Sequence, residues 1–259
     1  MVIVMKRIVS LFVFLVFSYI SYAQASGGQI KRDVTRKGII HKPVVAKNDT
    51  KIIYSTPKVV DMGLPSGTLW ADRNLGAESP EGYGHFFAWG ETKKKNYYSG
   101  SNYKYVKWKT NKLTKYCIDP NDGVPDGKTE LDLDDDAAYM NLGKNWRTPS
   151  DEQFKELVDS RNTKIEWVEY NSVKGMKITS LSNGNYLFFP ASGFQSYESP
   201  TDENEYGNYW SRDILIDSDS RSAYSFHVSE FDIKHKTVYK NLNFGTRYYG
   251  EKIRPVYVP

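Results

Sequence analysis

The sequence predicts an α+β fold: two short helices against twisted antiparallel sheets, with the terminal strands paired. Two observations carry this expectation. Residues 131–158, LDLDDDAAYMNLGKNWRTPSDEQFKELV, hold two helix starts. The segments on both sides alternate or cluster apolar residues as strands do, which places helices in the middle and strands at both ends.

Residues 1–25 read as a targeting segment. Lys6 and Arg7 form a charged start, residues 8–20 are almost entirely apolar, and Ser21, Ala23 and Ala25 offer a small-residue cleavage site. The apolar run is too short to prefer a membrane span, so no transmembrane segment is expected in the mature chain. Cys117 is the only cysteine. It excludes an intramolecular disulfide and lies too far along the chain to anchor a lipid at a mature N-terminus. The expected location is therefore periplasmic, cell-surface or secreted, without a lipid anchor. Cys117 itself reads as a small buried apolar group or, alternatively, a reactive thiol.

Residues 26–57 read as a basic leader, in which Lys31, Arg32, Arg36, Lys37, Lys42, Lys47 and Lys51 face only Asp33 and Asp49. One strand is expected at 51–54. The whole chain carries +4, and removing the first 57 residues leaves the remainder net acidic. The basic balance thus belongs to the leader and gives no case for a nucleic-acid-binding fold.

The domain at 58–259 is long enough to bury one substantial core. Residues 59–60 and 68–70 are strand-like around a turn at 63–67. Residues 83–90, YGHFFAWG, are an aromatic run bounded by glycine and predict a buried strand. Residues 93–116 hold eight lysines, five tyrosines, Trp108 and no acid. They predict a surface strand at 103–109 whose lysine stems cover aromatic faces; the alternative is a polyanion site. Residues 119–136 invert the charge, with eight acids and one lysine. Asp119, Asn121, Asp122 and Asp126 could ligate calcium, but the loop's first glycine stands at position five, where an EF-hand needs it at six. An Asx-rich turn is the simpler reading, and no other cofactor is implied.

Asp134, Asp135 and Asp136 favour the start of a short helix that ends near Gly143. Ser150 and Gln153 match a capping box for the second helix, with Thr148 and Pro149 as an alternative start. Phe154, Leu157 and Val158 form its apolar stripe, and the two helices are expected to meet around Trp146. Asn183-Gly184 predicts a hairpin between strands at 174–180 and 186–189. Residues 193–207 read as a long polar surface loop. Strands follow at 208–211, at 223–228 with Tyr224, Phe226 and Val228 on one face, and at 252–258.

Several patterns together resemble one family: VDMGLPSGTLWADRNLGA (60–77), YGHFFAWGET (83–92), LTKYC (113–117), the 131–157 stretch, FFPASGF (188–194), YGNYWS (206–211) and RYYGEKIRPV (247–256). The domain resembles the Fibrobacter succinogenes major paralogous domain, common in exported proteins of Bacteroidetes-like bacteria and related to the C-type lectin fold. That resemblance implies two helices, paired terminal strands and a ligand face built from long loops. It also implies structural roles for Trp70, Trp89, Trp146, Arg147, Pro149, Trp210 and Arg254, with no catalytic set. The Glu-Pro-Asn, Gln-Pro-Asp and Trp-Asn-Asp tripeptides of calcium-dependent sugar-binding lectins do not occur in this chain. WRTPSDEQF is also similar to a turn of formylglycine-generating enzymes, but those require a cysteine pair.

The expectation is a non-enzyme. His41, His85, His227 and His235 are scattered, and Ser211 lacks nucleophile-elbow glycines. The leading reading is a surface binding module for a glycan or a surface protein, using Tyr197, Glu198, Asp202, Glu203, Tyr206, Tyr209, Trp210 and Arg212. For Tyr209 and Trp210 a core role is the competing reading. The alternative function is an accessory subunit of a surface assembly, whose leader adds Ile39, Ile40, Val44, Val45, Ile52 and Ile53 to a partner sheet.

Overall fold

The computed structural model describes residues 54–215, 220–235 and 242–259. The targeting segment, nearly all of the leader with its expected strand, and His41 lie outside the described residues. The fold is α+β and rich in sheet. No helix among the described residues is long and apolar enough to cross a membrane.

Strands β1 (Val59–Asp61) and β2 (Leu69–Ala71) pair across the turn at 63–67. β2 also pairs with the last strand, which in turn pairs with Trp146–Arg147. The first and last strands therefore share one four-stranded sheet, with β2 between them. Two short strands, β3 (Val106–Lys107) and β4 (Lys112–Leu113), form a separate ribbon.

The first helix, α1 (Ala137–Leu142), starts at Asp136, whose carboxylate accepts from Ala138 N at 2.9 Å and Tyr139 N at 3.3 Å. The same carboxylate accepts from Thr148 N at 2.9 Å and Thr148 Oγ1 at 2.8 Å. One buried side chain thus caps a helix and fixes the turn after β5 (Trp146–Arg147). Burial pushes its pKa up, while these donors pull it back. We expect Asp136→Ala to cost about 2–3 kcal/mol, because it orphans donors at both ends. Urea unfolding checks this, with Asp136→Asn, which keeps one acceptor, losing clearly less.

The second helix, α2 (Asp151–Leu157), starts at Ser150. Both capping-box bonds are present, Gln153 N to Ser150 Oγ at 3.2 Å and Ser150 N to Gln153 Oε1 at 2.9 Å. Thr148 is engaged with Asp136, so the alternative start is not used. The two helices do not meet around Trp146. Trp146 stands edge-on to Tyr257, 5.2 Å away, in the cluster that holds Ala137 and Ala138. Phe154 and Leu157 instead join Trp70, Met176 and Val256 in a second cluster. Alternation along the paired strands sends Trp146 with Tyr257 to one face and Val256 to the other, so a helix lies on each side.

Beyond α2, β6 (Thr163–Tyr170), β7 (Val173–Ser180) and β8 (Tyr186–Pro190) form an antiparallel sheet. Gly184, at φ 76°, supplies the left-handed residue of the expected Asn-Gly turn. β6 had no expectation, although Ile165 and Trp167 alternate as a strand should.

Residues 193–207 are not a long loop. β9 (Ser192–Ser196) and β10 (Ser199–Glu203) pair through a two-residue turn at Tyr197-Glu198. Every residue of β10 is exposed, so its composition is that of a loop although its backbone is paired. β9 meets β11 (Tyr206–Ile214), which pairs with β12 (Ser222–Ser229), and β12 pairs with β13 (Leu242–Thr246). Because β12 is covered on both faces, Ala223 and Ser225 are buried as well as Phe226 and Val228. A third short helix, α3 (Glu230–Lys234), follows the Ser229 cap.

Three expected strands are shorter than predicted. Residues 83–90 are extended without a ladder: His85, Phe87 and Trp89 donate their N–H groups to Leu75, Glu251 and Arg247 respectively. Within 103–109 only Val106–Lys107 pairs, because Tyr103 and Tyr105 turn inward and donate to the Trp89 and Gly90 carbonyls. Of 252–258 only β14 (Val256–Tyr257) is a strand. The preceding Gly250, Glu251 and Lys252 each bridge a different neighbour, Gln195, Phe87 and Tyr209, and Pro255 has no N–H to continue a ladder.

Buried cations tie these layers together. Arg254 is fully buried and donates to Asn74 Oδ1 at 2.9 Å, Phe188 O at 2.7 Å and Asp72 O at 3.4 Å, with its guanidinium 4.4 Å from the Phe189 ring centre. Arg247 donates to Tyr116 O, Ser220 O, Lys115 O and Tyr103 Oη, and lies 4.7 Å over Trp89. Trp70, Trp89, Trp146, Trp210, Pro149 and Arg254 are buried. Arg147 stacks 4.5 Å over Tyr139.

Candidate functional site

The surface with the strongest chemical character is an aromatic ridge assembled from three separate loops. The β9–β10 turn presents Tyr197, which is 60% exposed and held at φ 61°. That left-handed conformation is uncommon outside glycine and marks a position whose geometry is imposed by its surroundings. Reciprocal backbone bonds impose it here: Tyr98 N donates to Tyr197 O at 2.9 Å, and Tyr197 N to Tyr98 O at 2.8 Å. The same hairpin is bonded to a third loop by Gln195 N to Gly250 O at 2.7 Å and Gly250 N to Gln195 O at 2.8 Å. Only glycine fits at 250, because a Cβ there would stand 2.9 Å from Phe86 Cβ and 3.0 Å from the Tyr98 ring.

Each flanking loop carries a tyrosine doublet. In the first, Tyr98 is buried with its hydroxyl on Phe86 O at 2.6 Å, and Tyr97 is turned outward. Tyr97 meets Tyr197 edge-on, with ring centres 5.7 Å apart. In the other, Tyr248 and Tyr249 are both half-buried and 5.0 Å apart. Tyr249 packs on Phe194, which stacks with Tyr206 at 6.3 Å. Burial first, then neighbouring Tyr249 and Tyr197, push the Tyr248 phenol up. The Tyr248 phenol is therefore a neutral hydrogen-bonding group at physiological pH. The ridge offers flat apolar faces with polar tips, held by backbone bonds rather than by flexible side chains.

The expected site residues divide. Tyr197, Glu198, Asp202 and Glu203 belong to the one hairpin, and Tyr206 Oη reaches it by a bond to Asp202 at 2.5 Å. Tyr209 and Trp210 do not belong to it. They are 0% and 1% exposed, and donate to Pro190 O at 2.6 Å and Phe87 O at 2.8 Å. Both faces of β11 are covered, so the core reading holds for them. Arg212 is also elsewhere, paired with Glu130 at 2.8 Å and bonded to Gln153. Tyr97, Phe194, Tyr248 and Tyr249 were missed as site residues. The readable signal is the doublet itself, in which neighbouring tyrosines cannot all face one core.

The calcium reading is not supported by the arrangement of its residues. Asp119 accepts from Asn121 N at 2.7 Å, Asp122 pairs with Arg221 at 2.9 Å, and Asp126 accepts from Tyr116 N at 2.7 Å. Each carboxylate serves a different partner, so they act as turn and loop caps. Among the described residues no three His, Cys, Asp or Glu side chains converge as a metal site. Cys117 is buried and donates to Asp119 O at 3.2 Å. His227 contacts Asn208 at 2.7 Å and lies 3.6 Å from Asp232. The Ser229 hydroxyl donates to Asp232, not to the imidazole, so no nucleophile–base pair is formed there.

Two other features compete with the ridge. An open groove of about 490 Å³ beside α2 is lined by Glu152, Lys155, Glu156, Asp159 and Arg161. Its charged groups are already engaged: Lys155 pairs with Glu152, Arg161 with Asp159, and Glu156 accepts from Ser66. In the lysine-rich 93–116 segment, Lys95, Lys104 and Lys115 lie over the rings of Tyr98, Tyr105 and Tyr116, and pair with Glu91, Asp135 and Asp132. Those three are cover for buried tyrosines, as the lysine-stem reading expects. Comparison of the chain with family models, with curated proteins and with solved structures finds no match in any of the three.

Proposed function

We propose that this domain is a non-catalytic binding module of an exported, surface-associated protein, and that its ligand is a glycan held on the aromatic ridge. The observation that carries the proposal is the Tyr97–Tyr197 pair, exposed yet held by the reciprocal backbone bonds between Tyr98 and Tyr197. Rigid exposed aromatics lose little entropy on binding, and their faces stack on the C–H faces of sugar rings. Acceptors at Glu198 and the phenol tips then take sugar hydroxyls.

A C-type lectin-like arrangement is part of the same reading. It is supported by the sheet shared by the first and last strands and by two short helices that precede the strand-rich second half. Export rests on the pattern of residues 1–25.

A glycan panel tests the proposal. Tyr97→Ala and Tyr197→Ala are each expected to weaken binding about tenfold, the size of one lost stacking contact, with unchanged thermal unfolding. Chelator should leave binding intact, because the carboxylates of the 119–126 loop are already engaged. Binding that survives both substitutions would place the ligand elsewhere.

A further inference from the structure

Resting on that reading, we infer that the ridge takes an acidic glycan, with the carboxylate or sulfate of one sugar seated at its Trp108 end. Trp108 is 62% exposed and continues the ridge. A Cβ built on Gly100 would lie 3.6 Å from the Tyr248 ring and 3.8 Å from the Trp108 ring, so Gly100 forms the floor that the two rings share.

Cations surround this end. Lys107 and Lys109 flank Trp108 in sequence, and both are exposed. Lys107 stands directly opposite Lys112 in the β3–β4 ribbon. The Lys112 ammonium itself donates to the Asn121 carbonyl. Beneath the ribbon lies a cavity of about 30 Å³, lined by Gly100, Asn111, Arg221, Arg247 and Tyr248 among others. That is about the space of one water, too small for a sugar ring but open to one oxygen of an anionic substituent. Arg221 is balanced by Asp122. Arg247, 1% exposed, has only carbonyls, a tyrosine hydroxyl and ring faces as partners, and among the described residues no carboxylate pairs with it. Its positive charge is therefore uncompensated directly behind the cavity, where screening by solvent is weak.

The opposite end differs in sign. Glu198, Asp202, Glu203 and Glu205 are exposed around Tyr197. Aromatic faces with cations at one end and acids at the other would orient an acidic oligosaccharide along the ridge, not merely attract it.

The test compares an oligogalacturonate with its carboxyl-reduced neutral analogue, and with a sulfated oligosaccharide, on the full chain by calorimetry at low and physiological salt. The acidic ligands are expected to bind about tenfold more tightly than the neutral one, with the advantage shrinking as salt rises. Whichever of the two binds better identifies the anionic group. The double variant Lys107→Gln/Lys109→Gln should remove most of the advantage and leave neutral binding unchanged. Trp108→Ala should weaken all ligands at this end.

Equal affinity for acidic and reduced oligomers, with Tyr197→Ala still weakening both, would overturn this inference and leave the binding-module reading standing. Binding to a single-stranded oligonucleotide as tight as to the oligogalacturonate would also overturn it, since charge alone would then suffice. Retention of no oligosaccharide at all would overturn both.

Discussion

Arg254→Met is expected to destabilise the domain by about 4 kcal/mol and to cut sharply the yield of folded protein. The guanidinium is fully buried, and burial alone lowers its pKa to about 10, so it stays charged at neutral pH. Its three donors reach Asn74 beside the first sheet, the Asp72 carbonyl, and Phe188 in β8. Methionine keeps much of the volume but leaves those acceptors dry and unpaired, and each orphaned buried acceptor costs about 1–3 kcal/mol. Lysine should fail nearly as badly, because a single ammonium cannot span three acceptors fixed by a planar fork. Urea unfolding of the wild type, Arg254→Met and Arg254→Lys checks this. A loss below about 1 kcal/mol in the methionine variant would mean that the layers are held by apolar packing alone.

The second large effect is an inverted pH profile. Glu251 is fully buried, accepts among the described residues only from Ser225 Oγ at 2.5 Å, and is pushed by burial from 4.5 to about 8. Below its unfolded pKa it is protonated in both states, and its contribution to stability is fully present. As pH rises from about 4.5 to about 8 the unfolded chain ionises first, so that contribution is lost. Lys252 is opposite in sense. Its ammonium lies on the Phe86 ring, 3.1 Å from the ring centre, bonds Gly84 O at 3.3 Å, and is lowered by burial from 10.5 to about 7. Its contribution is present above the unfolded value and lost as pH falls through the folded one, so between about 7 and 10.5 stability rises with pH.

The two slopes meet to give a stability minimum near pH 7–8, where many proteins are close to their maximum. Glu251→Gln should abolish the fall on the acid side and stabilise the domain at pH 8 by a few kcal/mol. Lys252→Met should flatten the alkaline rise. Thermal unfolding of the three proteins at half-unit steps from pH 5 to 10 decides the matter. A wild-type profile flat from pH 5 to 8 would show that water reaches Glu251.

Much of the fold was legible wherever the determining contacts are local. Asp136 and Ser150 announce their helices because a cap is satisfied within a few residues, and Asn183-Gly184 announces its hairpin for the same reason. The β9–β10 hairpin was hidden. Its turn residue is a tyrosine in a conformation that only distant backbone bonds explain, and β10 is polar throughout. Tyr209 and Trp210 looked like ligand residues because the sequence beside them is polar, yet β11 is covered on both faces. The ridge was only half visible for a related reason. Its rings come from residues 97, 197 and 248–249, and nothing in any one of these segments says that reciprocal backbone bonds will bring them together.

The position of β14 has a consequence for the order of events during synthesis. Residues 256–257 lie between β2 and β5, so the centre of the first sheet is supplied by chain that is made late. The bond from Arg254 to Asn74 closes a separation of 180 residues. Contacts this distant are slow to form, because the entropy of closing the loop must be met before any of them can stabilise the whole. A nascent chain ending before residue 254 lacks both the central strand and the cation that joins two sheets. It therefore remains unfolded until almost the whole domain has been made.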